Sequence, residues 1–355
     1  MNQHFEPKGL PVLVGSLPLS DHTEAADLIW TYTPEIPSWP QLPVFRNERM
    51  VHQFLQGLPG LEDNGSRVTV NTEKEAFNEE LLQFYEEYLG VTEGSADLLT
   101  SRFSLSHKNA GGFFSFQKGI ESRISSVDAI KGQITGPVTA GTALKKNNGE
   151  ILFYDDQLLD AMVKLLSLKA RWQTRILARF GRPVMIFIDE PGMAGFGSSE
   201  FISISREQVR QSLQAVIEGI RAEGGLAGIH VCANTDWSLI LDIPFDIINF
   251  DAYAYFDRFI LYADQIRRFI QAGGIIAYGI VPTLNVEDIQ RESLKSLLVS
   301  FKEKMDRIAD LGFEPEQIIR QALITPSCGA GALSLDLALK VLNLTRSLSD
   351  GLKIR

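Results

Sequence analysis

Val184-Met185-Ile186-Phe187-Ile188-Asp189-Glu190-Pro191 is the stretch that decides the fold. Five apolar residues run without alternation, and two carboxylates and a proline then stop them. A strand with one face in water alternates apolar and polar residues, whereas an unbroken apolar run suggests a strand covered on both faces, as in a parallel sheet between helices. Similar runs lie at 12–15, 68–70, 129–134, 227–231, 247–250, 275–280 and 323–325. Between them stand amphipathic stretches that predict helices at 156–180, 206–223 and 287–311. Ser205 and Asn285 occupy N-cap positions, and Gly224-Gly225 and Gly273-Gly274 mark helix ends. Eight strands interleaved with helices predict an α/β fold, a single (β/α)8 TIM barrel spanning 1–355 as one domain. The segments 34–64 and 109–116 read as long loops at its C-terminal face. The competing architecture is a doubly wound open sheet. Its dinucleotide-binding form loses support because no Gly-x-Gly-x-x-Gly follows the first strand.

In a barrel the chemistry gathers where strands end at the C-terminal face. The residues at those ends are Ser16, Asp189-Glu190, His230 and Cys232, Asp251 and Cys328. The chain has only two cysteines, and each follows an apolar run and precedes small or turn-forming residues. His230 and Cys232, at i and i+2 of an extended segment, point the same way and can grip one ion. Thiolate and imidazole both suit zinc, and three protein ligands with a place left open describe a catalytic zinc better than a structural one. The competing reading is plain core packing, because free cysteine is among the most buried residue types.

Composition bounds the rest. Hydrophobic residues make up 45% of 355, enough for a large core, and 34 basic against 44 acidic residues give a net charge of -10. That balance, with no long basic cluster, argues against nucleic acid and against anionic membrane surfaces. No apolar stretch is long enough to span a bilayer. Met1-Asn2-Gln3-His4-Phe5-Glu6-Pro7 lacks the basic start of a signal peptide, so the expected location is the cytoplasm, with both thiols reduced.

Five motifs, in order, resemble the catalytic half of cobalamin-independent methionine synthase and the related zinc methyltransferases that act on corrinoid proteins. Gly15-Ser16-Leu17-Pro18 is similar to the family's Gly-Ser-Phe-Pro. Lys131-Gly132-Gln133-Ile134-Thr135-Gly136-Pro137-Val138-Thr139 resembles its Lys-Gly-x-x-Thr-Gly-Pro-Val-Thr. Ile188-Asp189-Glu190-Pro191, His230-x-Cys232 and Pro326-x-Cys328-Gly329 complete the set. The resemblance implies a zinc ion on His230, Cys232 and Cys328 that binds a substrate thiol, which then attacks an electrophilic methyl group. It implies Asp251 as the displaceable fourth ligand, although the family commonly has the longer glutamate there. Asp189 matches the residue that contacts the amino group of homocysteine, and Ser16 would serve the substrate carboxylate. Ala233-Asn234-Thr235 looks more like the corrinoid-linked enzymes, which implies a methylated corrinoid, free or protein-bound, as methyl donor in preference to methyl-folate.

The chain also departs from the pattern. Methionine synthase has a His-Gly-Glu stretch whose acid helps bind the substrate amine; the matching region, Trp39-Pro40-Gln41-Leu42-Pro43, offers only Gln41. The full synthase is roughly two barrels, and this sequence accounts for one. Coenzyme M or another small thiol is therefore the alternative acceptor. A uroporphyrinogen decarboxylase-like lyase would leave His230, Cys232 and Cys328 as coincidence, and no Arg-Gln-Ala-Gly-Arg-like segment supports it. A non-catalytic zinc- or thiol-binding protein is the rival from outside enzymology. His107, beside Lys108 in a loop, reads as a solvated histidine more readily than as a member of the site.

Overall fold

A computed structural model describes residues 5–196, 201 and 203–353. Met1 to His4, part of the stretch read for a leader, lie outside the described residues. The described strands are β1 (Leu10–Pro11), β2 (Leu61–Asp63), β3 (Val68–Val70), β4 (Ile130–Thr135), β5 (Lys145–Lys146), β6 (Val184–Asp189), β7 (Leu226–Val231), β8 (Ile247–Phe250), β9 (Ile275–Val281) and β10 (Ala322–Pro326). Seven of them form one sheet in the order β1-β10-β9-β8-β7-β6-β4, and every pairing is parallel. β4, β6, β8, β9 and β10 are buried along their whole length, as expected of strands covered on both faces, although β4, β8 and β10 carry polar residues on one of them.

The two faces of this sheet are packed differently. One face meets the helices in a large cluster that includes Ile186, Ile188, Ile229, Phe250, Tyr278 and Ile324. The other carries a small cluster of Leu10, Val12, Ala129, Met185, Phe187, Ile247, Ile275, Ala277 and Leu323. Each of these is two residues from the next inward position, so the same face continues toward the strand ends as Lys131, Gln133, Asp189, His230, Asn249 and Thr325. Apolar residues thus fill the floor of this face, and polar ones crowd its C-terminal end.

The segment 35–41 lies between the two edges of the sheet. Glu35 O accepts from Asp128 N (2.8 Å), and Pro37 O accepts from Lys131 N (3.0 Å) beside β4. At the other edge Gln41 N donates to Gly15 O (3.0 Å) and Leu17 N donates to Gln41 O (3.0 Å). Isolated parallel bridges pair Ser38 with Lys131 and Gln41 with Ser16. Pro34, Pro37, Pro40 and Pro43 remove every third backbone donor, so no continuous ladder forms. Side chains supply the missing bonds: Trp39 Nε1 donates to Gln173 Oε1, Gln173 Nε2 to Gln133 O, and Gln133 Nε2 to Trp39 O.

Several expectations need correction. The run at 68–70 is a strand, but it belongs to a separate three-stranded sheet in the order β2-β3-β5. Only Val70 of its three residues is buried, too little for a strand covered on both faces. The first strand of the large sheet is Leu10–Pro11 rather than 12–15, with Val12 N adding one further bond to Ile324 O. Gly15, at φ 138°, then turns the chain where a side chain would press on Gln133 and Gln41. Of the two expected loops, 34–64 contains the segment just described, a helix at Met50–Leu55 and β2, while Gly111–Ile120 is helical. Phe113, Phe116 and Ile120 provide the buried face of that helix, which the run of glycines obscures. The helix expected at 287–311 is two, Val286–Arg291 and Leu294–Ala309, because Ser293 starts the second with a reciprocal cap on Ser296. Ser205 and Asn285 do cap their helices, with Ser205 closing a capping box with Gln208.

Candidate metal centre

His230 and Cys232 sit at the end of β7, and Cys328 two residues beyond β10. A nitrogen of His230 and the two Sγ atoms all lie within 4.8 Å of one another, so this group could hold a metal ion. Strands β8 and β9 separate β7 from β10 in the sheet, so the approach is made by the segments that follow the strand ends rather than along the sheet. An irregularity at Thr325/Pro326 shifts the register of β10 just before Cys328 and re-aims the chain. Gly329 then packs against Ser16, where an added Cβ would lie 2.0 Å from Ser16 Oγ. A larger residue in place of the glycine of Pro326-x-Cys328-Gly329 would force the Ser16 hydroxyl to turn away.

The register of β6, β7 and β8 sets His230 beside Asp189 on one side and Asn249 on the other. His230 is 2% exposed, and its Nδ1 lies 2.5 Å from Asn249 Oδ1. Asn249 Nδ2 donates to Ala277 O and Thr325 Oγ1, each at 2.8 Å. His230 Nε2 and Asp189 Oδ1 are both buried without a hydrogen-bond partner in the protein. Buried polar atoms are rarely left so, since each costs roughly 1–3 kcal/mol. These two lie on neighbouring strands, at the end of the sheet that holds the thiols.

The thiols are electrostatically unequal. Donation from Cys328 draws the Cys232 thiol toward its ionised form, against burial and with help from His230. The same donation, together with burial, pushes the Cys328 thiol upward. Burial raises the Asp189 carboxyl to about 6, opposed by Lys131 and His230. Lys131 is buried beneath it, held by Val14 O at 2.6 Å and Gln133 Oε1 at 3.2 Å, with its Nζ 4.9 Å from the Phe187 ring centre. Burial lowers that ammonium to about 8, while the charge of Asp189 resists.

The Asp189-Glu190 pair divides into two roles. Glu190 is fully buried and accepts from Val138 N (2.9 Å), Thr139 N (2.8 Å) and Thr139 Oγ1 (2.6 Å). It anchors the first turn of the helix Pro137–Ala143, and an added Cβ on Gly136 would meet it at 2.1 Å. Burial raises it to about 7, but three donors converging on its two oxygens favour the carboxylate. Asp189 is the member with a free oxygen.

The remaining sequence candidates fall around this group. Asp251 is 2% exposed and caps the helix Ala252–Phe259, accepting from Ala254 N at 2.8 Å. It lies outside the group of close ligand atoms, and burial raises its carboxyl to about 6. Ser16 sits against the segment that follows Cys328, its carbonyl accepting from Ala330 N (3.0 Å) and its Oγ from Gly331 N (3.3 Å). Gln41 bridges to Ser16 and donates one amide hydrogen to Gln53 Oε1 (2.6 Å), while Gln53 Nε2 donates to Asn109 O (2.7 Å). His107 is exposed and stacked on Phe114, 3.8 Å between ring centres. Sequence reasoning missed Asn249 and Thr325. The signal for Asn249 was available, two residues before Asp251 on an inward-facing strand; that for Thr325 needed the register of β10. Among the described residues no helix is long and apolar enough to cross a membrane. The chain matches no protein-family model and no curated protein sequence.

Proposed function

We propose that this chain is a zinc-dependent thiol S-methyltransferase on a (β/α)8 barrel, of the kind its motifs resemble. Segment 35–41 is the eighth stave of that barrel, made irregular by its prolines. The reaction moves a methyl group from a methylated corrinoid to a small thiol, with homocysteine, giving methionine, as the favoured acceptor. The observation that carries the reading is the meeting of His230, Cys232 and Cys328 at one point, with His230 Nε2 buried and unpartnered. Two sulfurs and an imidazole are a donor set suited to zinc, and a three-ligand set leaves a position for substrate. Zinc bound there would lower the pKa of a substrate thiol and so supply a nucleophile at neutral pH.

The chain's own residues account for the rest. Asp189 offers its free oxygen to an ammonium group of the acceptor, and Lys131 beneath it favours the ionised carboxylate. Ser16, on the loop beside Gly329 and Gly331, faces the carboxylate end of the same substrate. Sulfur attacks the methyl carbon; the S–C bond forms as the cobalt–carbon bond breaks, its electron pair stays on cobalt, and the thiol proton leaves to solvent. Ala233-Asn234-Thr235, after Cys232, supports a corrinoid over methyl-folate as donor. One observation favours an acceptor without an ammonium group, such as coenzyme M: Gln41 is neutral, so it offers an ammonium no opposite charge, and one hydrogen of its amide already goes to Gln53.

The test is direct. Purified, zinc-loaded protein given methylcobalamin and homocysteine should produce methionine, and methyltetrahydrofolate should give little. Turnover with coenzyme M but not homocysteine would reassign the acceptor. Efficient turnover with methyltetrahydrofolate would reassign the donor. Stoichiometric zinc without methylation of any thiol would leave a binding protein.

A further inference from the structure

Asn249 has one acceptor oxygen and an amino group with two donor hydrogens, and its surroundings fix which way they face. One neighbour of its Nδ2 is Ala277 O, a backbone carbonyl that can only accept. The amino group must therefore face Ala277, and Thr325 Oγ1 takes the second hydrogen. Oδ1 is left facing His230 Nδ1 at 2.5 Å. An amide oxygen at that distance requires the hydrogen of the neutral ring to be on Nδ1, which leaves the lone pair on Nε2. Nε2 is also the ring nitrogen that has no protein partner.

We infer that Asn249 is a positioning residue: it locks His230 in the Nδ1–H tautomer and thereby makes Nε2 the metal-binding nitrogen. The inference rests on the metal reading proposed above. Neutral histidine in water prefers its hydrogen on Nε2, the tautomer that would put a donor instead of a lone pair on the unpartnered nitrogen. The lock runs through three strands, because Asn249 on β8 is oriented by Ala277 on β9 and Thr325 on β10. Partners that orient a metal-bound histidine in this way typically change metal affinity by about 10–100-fold when removed.

Two readouts on the full-length chain test it. In zinc-free, reduced protein labelled with 15N-histidine, the ring nitrogen shifts of His230, assigned by their loss in His230→Asn, should report the Nδ1–H tautomer. In Asn249→Leu the Nε2–H form should appear, and zinc affinity measured by chelator competition should weaken by about 10–100-fold, with an unchanged circular dichroism spectrum. Thr325→Val should keep the wild-type tautomer, since Ala277 O still orients the amide. A wild-type ring carrying its hydrogen on Nε2 overturns the inference, as does a folded Asn249→Leu that binds zinc like wild type. If Asn249→Leu fails to fold, the wild-type ring shifts decide alone. Wild-type protein that binds no zinc would instead overturn the metal reading, and the tautomer measurement, which needs no metal, separates the two failures.

Discussion

Replacing Cys328 by alanine should leave the fold standing and abolish its stabilisation by zinc. Cys328 lies beyond the end of β10 and belongs to none of the apolar clusters that join sheet and helices. The zinc-free variant should therefore melt within about 2 °C of zinc-free wild type, as expected of a substitution that opens no core cavity. Zinc held jointly by His230, Cys232 and Cys328 binds the folded chain in preference to the unfolded one, because only the fold brings Cys328 to the other two. At free zinc 100 times its dissociation constant, that linkage stabilises by about 2.7 kcal/mol, and at 1000 times by about 4.1 kcal/mol. A chain of 355 residues unfolds with an entropy of roughly 0.75 kcal/mol per kelvin. Wild type should then gain roughly 3–4 °C at the lower zinc level and 5–6 °C at the higher. The assay is a thermal melt of reduced, chelator-stripped protein with zinc titrated back, for wild type and variant in parallel. An equal upward shift in Cys328→Ala would refute the assignment of that sulfur.

Three further outcomes follow from individual side chains. Asp189→Asn should retain zinc but raise the KM for homocysteine by about 10-fold or more, since it removes a charge-assisted bond; an unchanged KM would take Asp189 out of substrate binding. Glu190→Ala strands the Val138 and Thr139 amides and should cost roughly 2–5 kcal/mol in urea unfolding; a loss under 1 kcal/mol would contradict its anchoring role. Lys169, buried on the helix Asp156–Ala178, makes one bond, to Ser104 O at 3.2 Å, and burial lowers it to about 7. Its folded pKa lies below its unfolded value near 10.5, so the unfolded chain binds more protons between pH 7 and about 10.5 and the burial penalty fades as pH rises through that window. Lys169→Met should accordingly stabilise by roughly 2–4 kcal/mol at pH 7 and by progressively less toward pH 10, and a constant difference across that range would show that the ammonium is not the cause.

The sequence by itself determined what depends on neighbours along the chain. Unbroken apolar runs at 184–188 and 275–280, and the largely apolar 247–250, marked strands buried on both faces, and Ser205 and Asn285 marked helix starts, because burial period and capping are local properties. The side-by-side placement of His230 and Cys232 was equally legible, since two residues apart on a strand is a fixed geometry. Tertiary structure decided what depends on pairing. The segment 35–41 read as loop because its prolines delete ladder donors, and only the two sheet edges reaching it reveal its place. Val68–Val70 has the composition of a strand of the main sheet, yet its partners are β2 and β5. Asp189 and Glu190 look alike in sequence, and the amides of Val138 and Thr139 alone distinguish the anchored carboxylate from the free one. Cys328 joins His230 and Cys232, and Asn249 faces His230, through strand order and register, which are set by long-range packing that no local pattern encodes.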